Sequence, residues 1–145
     1  MPYEFARIPS EWGVFTRATT TLTDGEVLVH NWYAADVEPE LLVRTSDAAE
    51  AAALLPVLSA FFEERAAWHR RATDAIVRRF SESEPESAEL DEAESDLVLS
   101  SVEVQPGGDV LLHFDDSCGQ HFMHGHWPAV RFDASGSVME VTVEA

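Results

Sequence analysis

Apolar and polar positions alternate at two different periods along the chain, and the change of period divides it into three parts. From Trp12 to Leu22 and from Glu26 to Tyr33, β-branched and aromatic residues dominate, with Thr23-Asp24-Gly25 between them. Asp-Gly between two such runs predicts a β-hairpin. In the second run Val27, Val29 and Asn31 alternate with Leu28, His30 and Trp32, so neither face is cleanly polar and both are expected to be partly covered. A short third strand over Glu40–Arg44 is expected after a turn at Pro39.

At Ser46-Asp47 the period lengthens. An Ala-rich segment follows, with Glu50 close to the N3 position of a capping box, so a helix should begin near Asp47. Pro56 interrupts it. An interior proline lacks the backbone donor and clashes with the preceding turn, which predicts a kink or a break there and a longer helix over 57–80. On that helix Leu58, Phe61, Phe62, Ala66, Ala72, Ala75, Ile76 and Phe80 recur at roughly 3.6-residue spacing, and this face should lie on a sheet. The other side carries Glu63, Glu64, Arg70, Arg71, Asp74, Arg78 and Arg79, where Arg70 with Asp74 and Asp74 with Arg78 stand at pairing distance on a helix.

From Leu97 onward the short period returns, in runs over 97–105, 110–114, 122–132 and 138–144. Pro106-Gly107-Gly108-Asp109 and Asp133-Ala134-Ser135-Gly136 have tight-turn chemistry and imply an antiparallel meander. Strands, then helices, then strands predict a single α+β domain over residues 1–145. The expected sheet is largely antiparallel with about six to seven strands, in the order β-β-β-α-(α)-β-β-β-β, and one long helix crosses one face.

Composition narrows the function classes. At 145 residues and 46% hydrophobic, the chain can bury one proper core but not two. The 27 Asp and Glu against 9 basic residues give a formal charge of −18, a field that repels nucleic acid and anionic membrane surfaces. Every basic residue is Arg, as codon supply in a GC-rich genome would produce. The single cysteine, Cys118, rules out an intramolecular disulfide framework and fits a reducing compartment. The opening residues lack a basic segment followed by an apolar run, and no stretch approaches the roughly 20 apolar residues of a membrane span. A cytoplasmic location is the natural expectation.

The charge is unevenly spread. Five of the nine arginines fall between Arg65 and Arg79. The connection over 81–96 carries eight acids, Glu82, Glu84, Glu86, Glu89, Asp91, Glu92, Glu94 and Asp96, and reads as a mobile linker leading into a short acidic helix near 88–96. Its bland reading is a solvated connection. Its functional reading is a polyanion-like surface that docks a basic protein partner, with the arginine stripe as a second candidate docking face.

Four of the six histidines lie between His113 and His126, together with Asp115, Asp116 and Cys118. If 122–132 is extended, His124 and His126 point to one face, His113 on the neighbouring strand supplies a third nitrogen, and Asp116 supplies a carboxylate for Zn²⁺ or a similar ion. His121 then falls on the opposite face. CxxC pairs, HExxH and the deaminase pattern are all missing. Ordinary sheet and loop histidines, with Gly125 allowing a bulge or close approach, are the competing reading. A proton-dependent switch beside Asp115 or Asp116 is another. Cys118 with His121 or His113 can also be drawn as a thiol and its base. No GxGxxG, GxxxxGK[ST] or GxSxG motif is present. The tryptophans at 12, 32, 68 and 127 read as core and sheet-edge aromatics.

The stretch containing Asp115, Asp116, Phe122, Gly125 and His126 resembles the close of a bacterial family of unknown function, the one numbered 2262, in which two acids, a turn, an aromatic and Gly-His precede a final strand. Gly13 to Phe15, the strand with Trp32, one long helix, and Val102-Glu103-Val104 before a Gly turn follow the same order. The chain departs from that pattern at Cys118, in place of an acid-acid-Gly turn, and at His124, in place of Trp. The resemblance implies a fold and no agreed activity. Size, charge and layout are also similar to small bacterial immunity-type proteins. Two expectations follow: a non-enzymatic acidic module, of immunity or regulatory type, that docks a basic protein; or a metal-binding or histidine-dependent enzyme at His113, His124 and His126.

Overall fold

The computed structural model describes residues 6–145. The expectation that no leader opens the chain concerns in part residues 1–5, which lie outside those described. Eight strands form one sheet in sequence order: β1 (Ile8–Pro9), β2 (Val14–Thr21), β3 (Val27–Ala35), β4 (Glu40–Val43), β5 (Leu97–Val104), β6 (Val110–Asp116), β7 (Trp127–Phe132) and β8 (Val138–Glu144). Each pairs with the next in antiparallel fashion, except β4 and β5, which run parallel from Glu40↔Ser101 to Val43↔Val104. A parallel neighbour requires the chain to return to its starting edge, and three helices make that crossover: α1 (Ala48–Glu63), α2 (Arg65–Phe80) and α3 (Ser87–Asp96). The architecture is α+β with a mostly antiparallel sheet.

Core and strand phase agree closely. Val110, Leu112 and Phe114 of β6 are buried, and on β5 they face Val104, Val102 and Leu99. Leu97 and Leu99 lie at odd positions but Val102 and Val104 at even ones. All four reach the same core because the register shifts between Leu99 and Ser101. Ser100 at the bulge donates from Oγ to the His113 carbonyl at 3.0 Å. Leu58 and Phe61 of α1 and Ala72 and Ile76 of α2 complete the cluster from above the sheet. Trp68 meets Phe61 and Phe132 edge-on, and Arg71 lies over its ring.

The helices divide at a different place from the one expected at Pro56. Asp47 caps α1 as its sequence suggests, its Oδ1 accepting from the amides of Ala49 at 2.9 Å and Glu50 at 3.3 Å. Pro56 nevertheless sits inside α1. Both Pro56 and Ala52, whose carbonyl loses its helical donor, are exposed, so water can serve that carbonyl. The break comes instead at Glu64, with φ −125° and ψ 33°, whose amide tightens back onto Phe61 O at 3.1 Å. A straight helix over 57–80 would be about 36 Å long, longer than the strands it covers. Breaking at Glu64 lets α1 lie near β5 while α2 covers β7 and β8.

Two further expectations change. The distal half of the β2–β3 hairpin is uncovered, with Val27 58% and Leu28 50% exposed on opposite faces. The acidic helix expected near 88–96 forms, as α3, but the segment is more than a solvated connection: Pro85, Leu90 and Ala93 are buried, and α3 packs along α2. No helix among the described residues is long and apolar enough to cross a membrane.

Candidate functional site

The β6–β7 connection, residues 117–126, is organised by one side chain. Asp116 ends β6, and its Oδ2 accepts from the amides of His121 at 2.8 Å and Phe122 at 3.0 Å, while Oδ1 accepts from the Cys118 thiol at 3.3 Å. Desolvation pulls the Asp116 pKa upward, but the two amides and the thiol outweigh it and hold the carboxyl below its ordinary range. Gly119 and Gly125 take positive φ, +70° and +83°, where a side chain would be strained, and His126 closes the second turn on Met123 O at 2.9 Å.

That geometry overturns the expected strand over 122–132. The amides of His121 and Phe122 are committed to Asp116, the chain turns at Gly125, and β7 begins only at Trp127. His124 and His126 therefore lie on an exposed loop rather than on one face of a strand. Their one recorded contact runs from His126 Nδ1 to the His124 carbonyl at 3.4 Å. His113 is on β6, where its Nδ1 accepts from the Trp127 indole at 3.0 Å. The proposed ligand set of His113, His124, His126 and Asp116 is not brought together. Among the described residues, three ligand atoms converge within 4.8 Å of one another at a different place, Asp96, Cys118 and His121.

His121, expected on the far face, is 3.0 Å by Nε2 from Asp96 Oδ2. Asp96 is the last residue of α3, and its carbonyl accepts both from the amide of Ser117 at 2.9 Å and from its hydroxyl at 2.7 Å. Cys118 is exposed and lies 3.9 Å from Asp96 Oδ2. The Gln120 amide favours its thiolate, yet desolvation and the carboxylates of Asp116 and Asp96 prevail and push the thiol pKa up. A raised pKa leaves less thiolate for nucleophilic attack, which weighs against Cys118 as half of a Cys-His catalytic pair.

A cleft of about 590 Å³ opens between α2, α3 and this loop. Its floor is apolar, built from Ile76, Val77, Phe80, Leu97 and Phe122, with Met123 76% exposed at the lip. The Phe80 and Phe122 rings meet edge-on at 5.8 Å. Ser81, Glu89 and Glu92, with His121 and His126 of the loop, supply its polar groups. A smaller hollow of about 360 Å³ is bordered by Asp115, Asp116, His124 and His126, so three of the four expected ligand residues flank it without their donor atoms converging.

The eight acids of 81–96 divide into two sets. Asp91 and Glu94 pair with Arg70 at 2.8 and 3.3 Å, and Glu84 pairs with Arg78 at 3.4 Å. Arg70 also holds Asp74 at 2.8 Å. Asp96 is engaged by His121. Glu82, Glu86, Glu89 and Glu92 are exposed and, among the described residues, have no ion-pair partner. The arginine stripe makes contacts within the fold, though Arg65, Arg71, Arg78 and Arg79 stay exposed. Arg70 pairs with α3 and Arg78 with Glu84 just before it, while Arg65, Arg71 and Arg79 lie over Phe62, Trp68 and Phe80.

Phe80, Met123 and the unpaired pair Glu89 and Glu92 had no signal beyond their place in amphipathic or acidic runs. Asp96 with Cys118 and His121 was legible only by folding β5 on β6 about the Gly107-Gly108 turn, which sets Asp96 beside Ser117. No protein-family model matches the chain, nor does any curated protein or solved structure. The family resemblance of Asp115, Asp116, Phe122, Gly125 and His126 rests on those residues alone.

Proposed function

We propose that this chain is a cytoplasmic, non-enzymatic binding module that docks a basic segment of a protein partner in the cleft between α2, α3 and the 117–126 loop. One observation carries the reading: an apolar floor with exposed Phe80 and Met123 is flanked by Glu89 and Glu92, carboxylates that no arginine neutralises among the described residues. An apolar centre with a charged rim is the anatomy of a protein interface. No arginine is among the lining residues, although Arg79 lies over the Phe80 ring, and the charged side chains of the lining are Glu89 and Glu92. The chain's charge of −18 adds a long-range field that speeds the encounter and selects basic partners. An immunity-type or regulatory role, in which the module masks a cationic surface, is the action proposed for it.

The occupant is an amphipathic cationic segment, apolar side down. Fluorescence anisotropy with a labelled Leu/Lys amphipathic helical peptide, compared with a scrambled peptide of the same composition, tests this. Preferential binding of the ordered peptide is expected, weakening as salt rises and falling at least tenfold in the Glu89→Gln/Glu92→Gln variant. Equal affinity for both peptides, or binding indifferent to that double substitution, overturns the reading. Binding of a neutral apolar dye in the cleft without any peptide binding would assign it to small molecules instead.

A further inference from the structure

We infer that Asp96, Cys118 and His121 form a binding site for one thiophilic divalent cation, Zn²⁺ foremost, where the end of α3 meets the 117–126 loop. The three donor atoms, a carboxylate oxygen, a thiol sulfur and an imidazole nitrogen, lie within 4.8 Å of one another. His121 Nε2 is 3.0 Å and Cys118 Sγ 3.9 Å from the same oxygen, Asp96 Oδ2. A tetrahedral zinc with bonds of about 2.0–2.3 Å separates its ligands by about 3.3–3.7 Å. The two gaps to Asp96 Oδ2 bracket that range, and the third, between sulfur and nitrogen, is within 4.8 Å, so side-chain rotation can close the set around one ion.

The donor set selects the metal class. One sulfur, one nitrogen and one oxygen suit Zn²⁺ or Co²⁺, whereas Ca²⁺ and Mg²⁺ take six or more oxygens. Asp116 lies outside the three-atom cluster and acts through the loop: its Oδ1 is 3.3 Å from Sγ, and its Oδ2 is anchored by the amides of His121 and Phe122. The loop ligands therefore hang from a carboxylate that is itself fixed. Asp96 stands at the C-terminal end of α3, where the helix dipole adds partial negative charge and favours a cation. His121 also lines the cleft, so a bound ion would tie α3 to the loop that walls it. The site does not depend on the docking reading, and either can fail alone.

Cobalt titration of tag-free, full-length protein tests the inference. The expected result is one Co²⁺ per chain, with a thiolate-to-cobalt charge-transfer band and the strong visible bands of four-coordinate cobalt, both displaced by Zn²⁺. Cys118→Ser should abolish the charge-transfer band. His121→Ala and Asp96→Asn should weaken affinity at least tenfold, with unchanged near-UV circular dichroism showing that the fold persists. Absence of the band overturns the inference. So does a band that survives Cys118→Ser, or cobalt binding that His124→Ala or His126→Ala removes while His121→Ala leaves it intact.

Discussion

The Trp127 indole donates its Nε1–H to Nδ1 of His113 at 3.0 Å, and that bond fixes what the histidine can be. Indole is a donor only, so Nδ1 must be the unprotonated acceptor and the neutral ring carries its proton on Nε2. Protonating Nδ1 would set two donors against each other.

Stability should therefore fall on acidification. Desolvation lowers the His113 pKa below its ordinary 6.5, against the opposing pull of Glu103 and Glu144, with Arg44 adding to the lowering. The unfolded chain binds this proton more readily, so the contribution is fully present above about pH 6.5 and is lost as pH falls toward the folded pKa. Melting temperature measured from pH 7.5 down to 5 should drop in the native chain and drop less in His113→Gln. A second loss is expected below about pH 3.8 as Asp116 and Asp133, both held below that ordinary value, take up protons. Identical slopes for the native and His113→Gln chains would refute the first assignment.

On the same sheet face, Glu103 is 4% exposed and ion-paired with Arg44, whose guanidinium lies 4.5 Å over the Trp32 ring. Arg44→Ala leaves a buried carboxylate without its partner and should cost about 1–3 kcal/mol. Arg44→Ala/Glu103→Val should recover part of that loss, because the orphaned charge is gone. Urea denaturation of the two variants supplies the comparison.

Pro56 lies on the exposed side of α1 and withholds one helical donor. Pro56→Ala should raise stability by about 1–3 kcal/mol, less than the full interior-proline penalty because proline also restricts the unfolded chain. Destabilisation in thermal melts would mean that the proline sets the path of α1.

Arg70 gathers Asp74, Asp91 and Glu94, linking α3 to α2. Arg70→Ala should speed amide hydrogen exchange across Ser87–Asp96 several-fold while β5–β7 keep their protection, and added salt should do the same to the native chain. Uniform acceleration would show instead that α3 and the sheet open as one unit.

Much of this architecture is written locally. Asp47 announces α1, Asp24-Gly25 and Gly107-Gly108 announce hairpins, and alternation along Val110–Phe114 marks a strand with one buried face. Such signals lie within a few residues of what they specify. Glu64 gives no comparable sign, because the helix breaks there to fit two packing partners rather than from any weakness in its own sequence. The start of β7 differs from expectation for a related reason: Phe122-Met123 looks strand-like, but the Phe122 amide is claimed by Asp116, six residues earlier in the chain.

The sequence by itself determined the α+β class, the acidic charge and the chemical types gathered between His113 and His126. Tertiary structure alone decided which of those groups meet. His113 was drawn away by Trp127, a cross-strand neighbour, while His121 was delivered to Asp96 by the β5–β6 register. The acids of α3 were sorted in the same way, with Arg70 pairing Asp91 and Glu94 and leaving Glu89 and Glu92 at the cleft. Composition and spacing fix the inventory of groups. Their partners are set by long-range pairing and packing, which bring together residues that no local pattern connects.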